Sequence, residues 1–270
     1  MNCSSKRSPT TVELMQRRFL LKSLLAALAL AVSITGTAGE SAQELIQKGD
    51  VFYAKFQAVE ALKNYLPAEK LEPNNVRLLV HIAREYRHLM SDATEVAEKL
   101  QLGNTALDYA QRAMTLAPDD PQTQVAVAIS RGKLLPFQGT KEQVANLPLI
   151  KIAADKAIVL DPTNDLAWHV LGRWHLALAD VGFVKRALAQ VAYGKLPPAK
   201  YEDAVRCFEK AIMLNPSRLM HYIELGRTYA QMGRNEDARK FITKGLAMSN
   251  TEKDDPETKT LGRQILKKLR

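Results

Sequence analysis

Only two cysteines, Cys3 and Cys207, occur in 270 residues, and Cys3 lies in a segment that reads as a leader. The remainder cannot close an internal disulfide, so a disulfide-stapled fold is excluded and cysteine usage does not report the compartment. Glycine and proline are scarce at 13 and 12, too few for a fibrous or low-complexity chain. Net charge is modest as well. Removing the five basic and two acidic residues of positions 1–42 lowers it from +9 to +6. With no run of Lys/Arg and no interleaved aromatic platform, that excess signals solubility and not nucleic-acid binding.

Catalytic motifs are absent too. There is no Gly-rich phosphate loop, G-x-S-x-G elbow, C-x-x-C or H-E-x-x-H, so no catalytic residue, metal or cofactor is assigned. His81 and His88 are seven apart and His169 and His175 six apart, neither a two-ligand spacing. Cys207, between Ala204 and Phe208, reads as a small half-buried helix residue.

The first 42 residues stand apart. Arg17 and Arg18 precede an apolar stretch from Ser23 to Ile34, then small residues up to Ala38 or Ala42. This is the layout of a signal peptide. Twelve apolar residues fall short of the ~20 that span a bilayer, although Phe19 to Ala38 would suffice for a tilted anchor if the leader is kept. Arg17-Arg18-Phe19-Leu20-Leu21-Lys22 resembles the bacterial twin-arginine export signal, which implies a periplasmic destination. An ordinary secretory leader and a mitochondrial presequence are the alternatives.

What the chain does contain is a repeat. Trp168, Leu171, Gly172 and His175, followed by Ala204, Phe208, Ala211 and Pro216, fit the helix-turn-helix pattern of 34 residues, W-x2-L-G-x2-Y, A-x3-F, P, of tetratricopeptide proteins. Tyr222, Leu225, Gly226 and Tyr229, with Ala238, Ile242 and Gly245, fit it again, with the internal spacing of a 34-residue unit throughout. Weaker units run through Ala61, Tyr65 and Ala68; through Leu79, Ala83, Tyr86, Ala106 and Ala113; and through Gln124, Ala128, Ala154 and Ala157. Small residues let paired helices approach, aromatics fill the wedge between units, and each LxP phrase ends one unit and caps the next. The expected fold is an all-α tetratricopeptide-type solenoid of about five hairpins over residues 43–270.

The phrase-ending prolines at 73, 118, 162 and 216 lie 45, 44 and 54 apart instead of 34. The excess falls each time at the turn inside a unit, so the insertions should thicken one edge of the stack. The first predicts a second helix capped by Ser91 or Asp92, and the second a helix from Gly139-Thr140 towards Leu160 interrupted by Pro148. The third places Phe183, Val184, Ala187, Leu188, Val191 and Ala192 on one face of a short extra helix. That face reads as packing, or as a lid or membrane contact formed by Phe183, Val184, Lys185, Arg186 and Leu188.

The stretches GRWHLALADVGFVKRALAQVAYGKLPPAKYEDAVRCFEKAIMLNP and VAISRGKLLPFQGTKEQVANLPLIKIAADKAIVLDP, with insertions of similar length, resemble the regulator of microtubule dynamics family. So does the PP-x2-YE-x-A opening at Pro197 to Ala204. The resemblance spans Val76 to Leu269. It implies an all-α repeat domain that associates with partners, relatives acting at microtubules or at lipid and membrane contacts, and no catalysis. An exported bacterial protein does not meet tubulin, so the fold and the mode of binding are what carry over.

First helices line the groove of such a solenoid. In tetratricopeptide proteins the residue after the Gly/Ala position faces that groove, and here it is Arg84, Ile129, Arg173 and Arg227. With Arg87, His88 and His169 nearby, the pattern predicts a basic groove at Arg84, Arg87, His169, Arg173 and Arg227. Such a groove suits a protein or peptide with an acidic segment, because arginine makes forked, charge-assisted hydrogen bonds to carboxylates. The competing reading pairs these arginines with Glu85 and Glu224. The lipid or membrane role of the inserted helix is the alternative function. At the C-terminus, Asp255-Pro256-Glu257 predicts the start of a capping helix with Leu261, Ile265, Leu266 and Leu269 on its apolar face.

Overall fold

A computed structural model describes residues 40–181 and 199–269, and everything within them that is regular is helical. Eleven α-helices follow one another among the described residues. Five antiparallel pairs account for ten of them: α1 Ala42–Tyr53 with α2 Ala58–Leu71, α3 Val76–Asp92 with α4 Val96–Leu116, α5 Pro121–Leu134 with α6 Thr140–Leu160, α7 Asp165–Ala179 with α8 Tyr201–Leu214, and α9 Leu219–Gln231 with α10 Asn235–Ala247. Helix α11, Asp255–Lys268, packs on α9 and α10. This is the expected solenoid of hairpins with a cap.

The recurring LxP phrase has two mechanical parts. Its last polar residue caps the next helix: the side chains of Asn75, Asp120 and Asn164 accept from the amides of Leu78, Gln122 and Ala167, satisfying donors a helix start leaves open. The first signature position of the unit then anchors back onto the phrase. Trp168 Nε1 donates to the Pro162 carbonyl at 3.0 Å, Tyr222 Oη to that of Pro216 at 3.0 Å, and Gln124 Nε2 to that of Pro118 at 2.7 Å. Leu79 holds this position in the second unit and cannot donate. There Arg112 of α4 supplies the bond to the Pro73 carbonyl at 3.2 Å.

Between paired helices the contact is made by small side chains. Ala61, Ala68, Ala106, Ala113, Ala154, Ala157, Ala204, Ala211 and Ala238 are all fully buried. Glycine goes further where even a methyl group has no room. A Cβ at Gly226 would meet the Ala238 carbonyl oxygen and the Ile242 backbone nitrogen at 3.0 Å each, and backbone cannot swing aside as a side-chain tip can. Gly233, at φ +73° in the turn between α9 and α10, is needed for its left-handed conformation.

The first two insertions are absorbed mainly as longer second helices. Helices α4 and α6 run for 21 residues each, against 13 for α10 in the hairpin without an insertion. The first two additions meet at the edge where they were expected. Gly103 of α4 sits against Leu134 and Met90, and the Lys99 ammonium lies 5.4 Å from the centre of the Phe137 ring.

Three local expectations need correction. Helix α4 begins after Glu95, and neither Ser91 nor Asp92 caps it; α3 runs on through both, and Ser91 Oγ bonds back to the Arg87 carbonyl. Pro148 does not interrupt α6, which is continuous past it. Trp174 Nε1 from α7 donates to the Leu147 carbonyl next to that proline at 2.8 Å, holding the site against the neighbouring helix. The boundary at residue 42 is also slightly late. Ser41 caps α1 in a reciprocal box with Glu44, and Ala42 is buried, so both belong to the helical unit.

Residues 1–39, with the leader, and 182–198, with the predicted extra helix, lie outside the described residues. Among those described, no helix is long and apolar enough to cross a membrane. The close approach at Gly226 makes an outcome of opposite signs at two glycines. Gly226→Ala should lower stability by about 1–3 kcal/mol through overpacking. Gly132→Ala, with nothing within 4 Å of the new methyl in α5, should raise it by about 0.5–1 kcal/mol. Denaturant unfolding of both variants checks this, and equal effects would contradict the packing account.

Candidate functional site

Among the hairpins, the first helices approach one another, α3 against α5, α5 against α7, and α7 against α9, while second helices make no comparable approach. The converging layer is the inner one, and its exposed side is the groove.

On α3 the groove carries a dense polar group. Arg84, partly exposed, donates to Tyr53 Oη at 2.5 Å with its guanidinium 4.8 Å from the ring centre, a cation–π contact. Arg87 is only 6% exposed and donates to Ser130 Oγ of α5 at 3.0 Å. Burial pushes its guanidinium down to about 10, which leaves it charged at neutral pH. Glu85 is fully buried beside His88 Nδ1 at 3.3 Å, and its Oε1 has no hydrogen-bond partner.

The end of α5 adds Lys133, and here the chain returns to its own groove. Lys133 Nζ donates to Ser91 Oγ at 2.7 Å and to Asp254 Oδ2 at 2.6 Å, across 121 positions of sequence. Burial pulls the Lys133 ammonium below its ordinary value, against the attraction of Asp254. Burial alone would raise the Asp254 carboxyl, yet Lys133 holds it below the usual carboxylate range. Lys253 Nζ reaches Asp92 at 2.6 Å, and Glu252 lies 3.4 Å from Arg218 at the start of α9. Asp255, the expected cap of α11, faces backward instead and accepts from the Thr251 and Glu252 amides at 2.7 and 2.8 Å. The turn before α11 therefore laces α9, α5 and α3 together across the groove.

Further along, Arg173 and Arg227 flank the buried carboxylate of Glu224 at 3.6 and 3.4 Å, and Arg227 also lies 3.8 Å from Asp180. Pairing with Glu224 is thus present for both. Neither arginine is thereby consumed, because Arg173 is half exposed and Arg227 partly so.

His169 is not a groove residue. It is buried in the layer between α7 and α9, with Nδ1 2.9 Å from His221 Nδ1, while His221 Nε2 lies 2.9 Å from Asp165 Oδ2. A carboxylate can only accept, so His221 donates from Nε2, accepts at Nδ1, and His169 donates from its Nδ1. Arg218, 3.1 Å from Asp165, completes the chain. Burial, its largest influence, holds His169 well below its ordinary value, and His221 is lowered by burial against the opposing pull of Asp165.

Arg84, Arg173 and Arg227 each keep exposed surface on a first helix, whereas Arg87 is buried against α5 and His169 is buried between α7 and α9. Phe183, Val184, Lys185, Arg186 and Leu188 lie outside the described residues. Cys207 is buried and its thiol is pushed up to about 12 by burial, the behaviour of a packing residue. Among the described residues no cluster of three or more His, Cys, Asp or Glu could hold a metal. The residues missed from sequence are Lys133 and Asp254. The available signal was the doubled acid Asp254-Asp255 ahead of Pro256, where starting the helix calls for only one.

The regulator of microtubule dynamics protein 1-3 family model matches residues 45–270. Regulator of microtubule dynamics protein 1 of Mus musculus is 28% identical over 227 residues, covering 83% of this chain and 73% of its own length. Regulator of microtubule dynamics protein 2 of Homo sapiens is 24% identical, covering 80% of this chain and 52% of its own. A solved structure, a thermophilic TPR protein of Thermus thermophilus, superposes with a TM-score of 0.62 at 17% identity, over 84% of this chain and 99% of that one. That likeness concerns the fold.

The His169–His221–Asp165 chain sets a pH dependence. Both histidines hold their proton less readily when folded, so their contribution is complete above the unfolded value near 6.5 and is lost as pH falls below it. Stability should be flat from pH 8 to 7 and then fall with a slope approaching about 1.4 kcal/mol per pH unit for each proton taken up on unfolding. His169→Gln should flatten that slope. Thermal melts between pH 8 and 5 read it, and stability that rises on acidification would refute the assignment.

Proposed function

We propose, for a chain that belongs to the regulator of microtubule dynamics family, that it is a non-catalytic protein-interaction scaffold whose inner groove holds an acidic segment of a protein or peptide partner. One observation carries the reading: the groove already accommodates an acidic segment, the chain's own Glu252–Asp255, with Asp254 on Lys133. The partly exposed Arg84, Arg173 and Arg227 extend positive charge beyond that contact along the same inner helices. Their charge-assisted hydrogen bonds would be strong where water is excluded and modest at the rim.

The alternative, a lipid or membrane role, rests on Phe183, Val184, Lys185, Arg186 and Leu188, which lie outside the described residues; the groove is preferred for the contact of Lys133 with Asp254. Export to a periplasm through the Arg17-Arg18 leader is part of this proposal. Cleavage after Ala38 would fit it better than after Ala42, because the later cut removes Ser41 and its capping box.

Binding of a labelled Asp/Glu-rich peptide, titrated at low and high salt, tests the reading. Wild type should bind, with affinity falling as salt rises. The combined Arg84→Ala, Arg173→Ala and Arg227→Ala variant should bind about tenfold more weakly, or about 1.4 kcal/mol, with a shallower salt dependence. Affinity unchanged by the three substitutions would remove the arginine row from the account.

A further inference from the structure

We propose that Glu252-Lys253-Asp254 is an internal ligand of the groove, and that the partner it stands in for carries an acidic-basic-acidic triad competing for Arg218, Asp92 and Lys133. The inference rests on the acidic-segment reading and goes beyond it by naming the resident occupant, the pattern a partner must present, and a resting state in which the groove is closed.

Three consecutive residues make three ion pairs with three different helices. Glu252 meets Arg218 at the start of α9, Lys253 meets Asp92 at the end of α3, and Asp254 meets Lys133 near the end of α5. Each charge in the triad finds its opposite. Shuffling the order would set Lys253 against a cation, so the site reads a pattern and not merely negative charge.

These contacts are separate from those that seat the cap. Helix α11 is held by Gly262 against Ile223 and Ile242, and by Ile265 and Leu266 in the cluster formed by Leu219, Ile223 and Ile242. That apolar seat lies on α9 and α10 alone. The polar turn can therefore let go of α3 and α5 while α11 stays in place.

The resident ligand is also imperfect. Asp254 Oδ1 is buried without a hydrogen-bond partner, while Oδ2 takes the Lys133 bond. A buried acceptor left unsatisfied opposes the bound state. A longer glutamate in the same place could bring both oxygens to donors. The flanking pairs are partly exposed, with Asp92 at 54% and Glu252 at 37%, so salt and a competing peptide can reach them. The turn itself is preformed by Asp255, which holds the Thr251 and Glu252 amides, and a partner with the same staple would arrive already shaped.

The test uses the full chain and a fluorescent peptide of sequence NTEKDDPETK, residues 250–259. A release variant carries Glu252→Gln, Lys253→Ala and Asp254→Asn; its helicity should match wild type because the seat of α11 is untouched, while its melting temperature should fall by a few degrees for the lost pairs. Removing the internal competitor should tighten peptide binding about tenfold, since the apparent dissociation constant scales inversely with the open fraction. Adding Lys133→Ala to the release variant should abolish that gain, and a peptide with the triad reordered to Lys-Glu-Asp should bind weakly throughout. Equal affinity in wild type and release variant overturns the internal ligand and leaves the acidic-groove reading standing. Binding to neither overturns both. A release variant that unfolds would show that the turn is a structural strut, which also overturns the proposal.

Discussion

Everything above the level of the single helix depends on how closely the two helices of a hairpin can approach. The seams are lined by alanines with no exposed surface and by glycines whose missing Cβ is replaced by a neighbour, as Gly172 is by Phe208 and Gly226 by Ile242. Close approach gives dense packing without large side chains, which explains how a core can form in a chain with 6% aromatics. It also makes each hairpin a unit of fixed thickness, and units of fixed thickness stack.

Stacking divides the two edges of the molecule. At the edge between units, Asn75, Asp120 and Asn164 cap the incoming helix and Gln124, Trp168 and Tyr222 bind the proline carbonyls. No residue can be added there without breaking a cap or an anchor. At the edge inside units nothing comparable constrains length, so α4 and α6 grow by two turns and pack on their neighbours. The ends of α3 and α5 lie at that built-up edge. Asp92 and Lys133 are carried there, and they are the two residues that meet Lys253 and Asp254. The pairs that tie the turn before α11 to α3 and α5 follow from where additional chain could be tolerated.

The repeat was legible because periodic small residues and LxP phrases are local signals, each with a mechanical cause. Helix class, hairpin pairing and the position of insertions followed from them. What was not legible depended on partners distant in sequence. Ser91 and Asp92 look like caps, but α3 continues because its extended end packs on α4. Pro148 looks like a break, yet α6 runs through it, with Trp174 of α7 bonded to the neighbouring Leu147 carbonyl. His169 sits one helical step from the groove positions, yet the turn of α7 points it at His221, 52 residues away. The row of Arg84, Arg173 and Arg227 was readable as a register; that one carboxylate serves two of them was not, because Glu224, three residues before Arg227 on α9, also reaches Arg173 on α7.

The proposed closure of the basic groove by an acidic turn of the same chain rests on the contact of Lys133 with Asp254. A double-mutant cycle on folding stability with Lys133→Met and Asp254→Asn addresses it most directly, because it isolates that contact from the separate seating of α11. The coupling should be about 1 kcal/mol at low ionic strength and shrink as salt is added. Two substitutions whose effects simply add, to within about 0.3 kcal/mol, would contradict it.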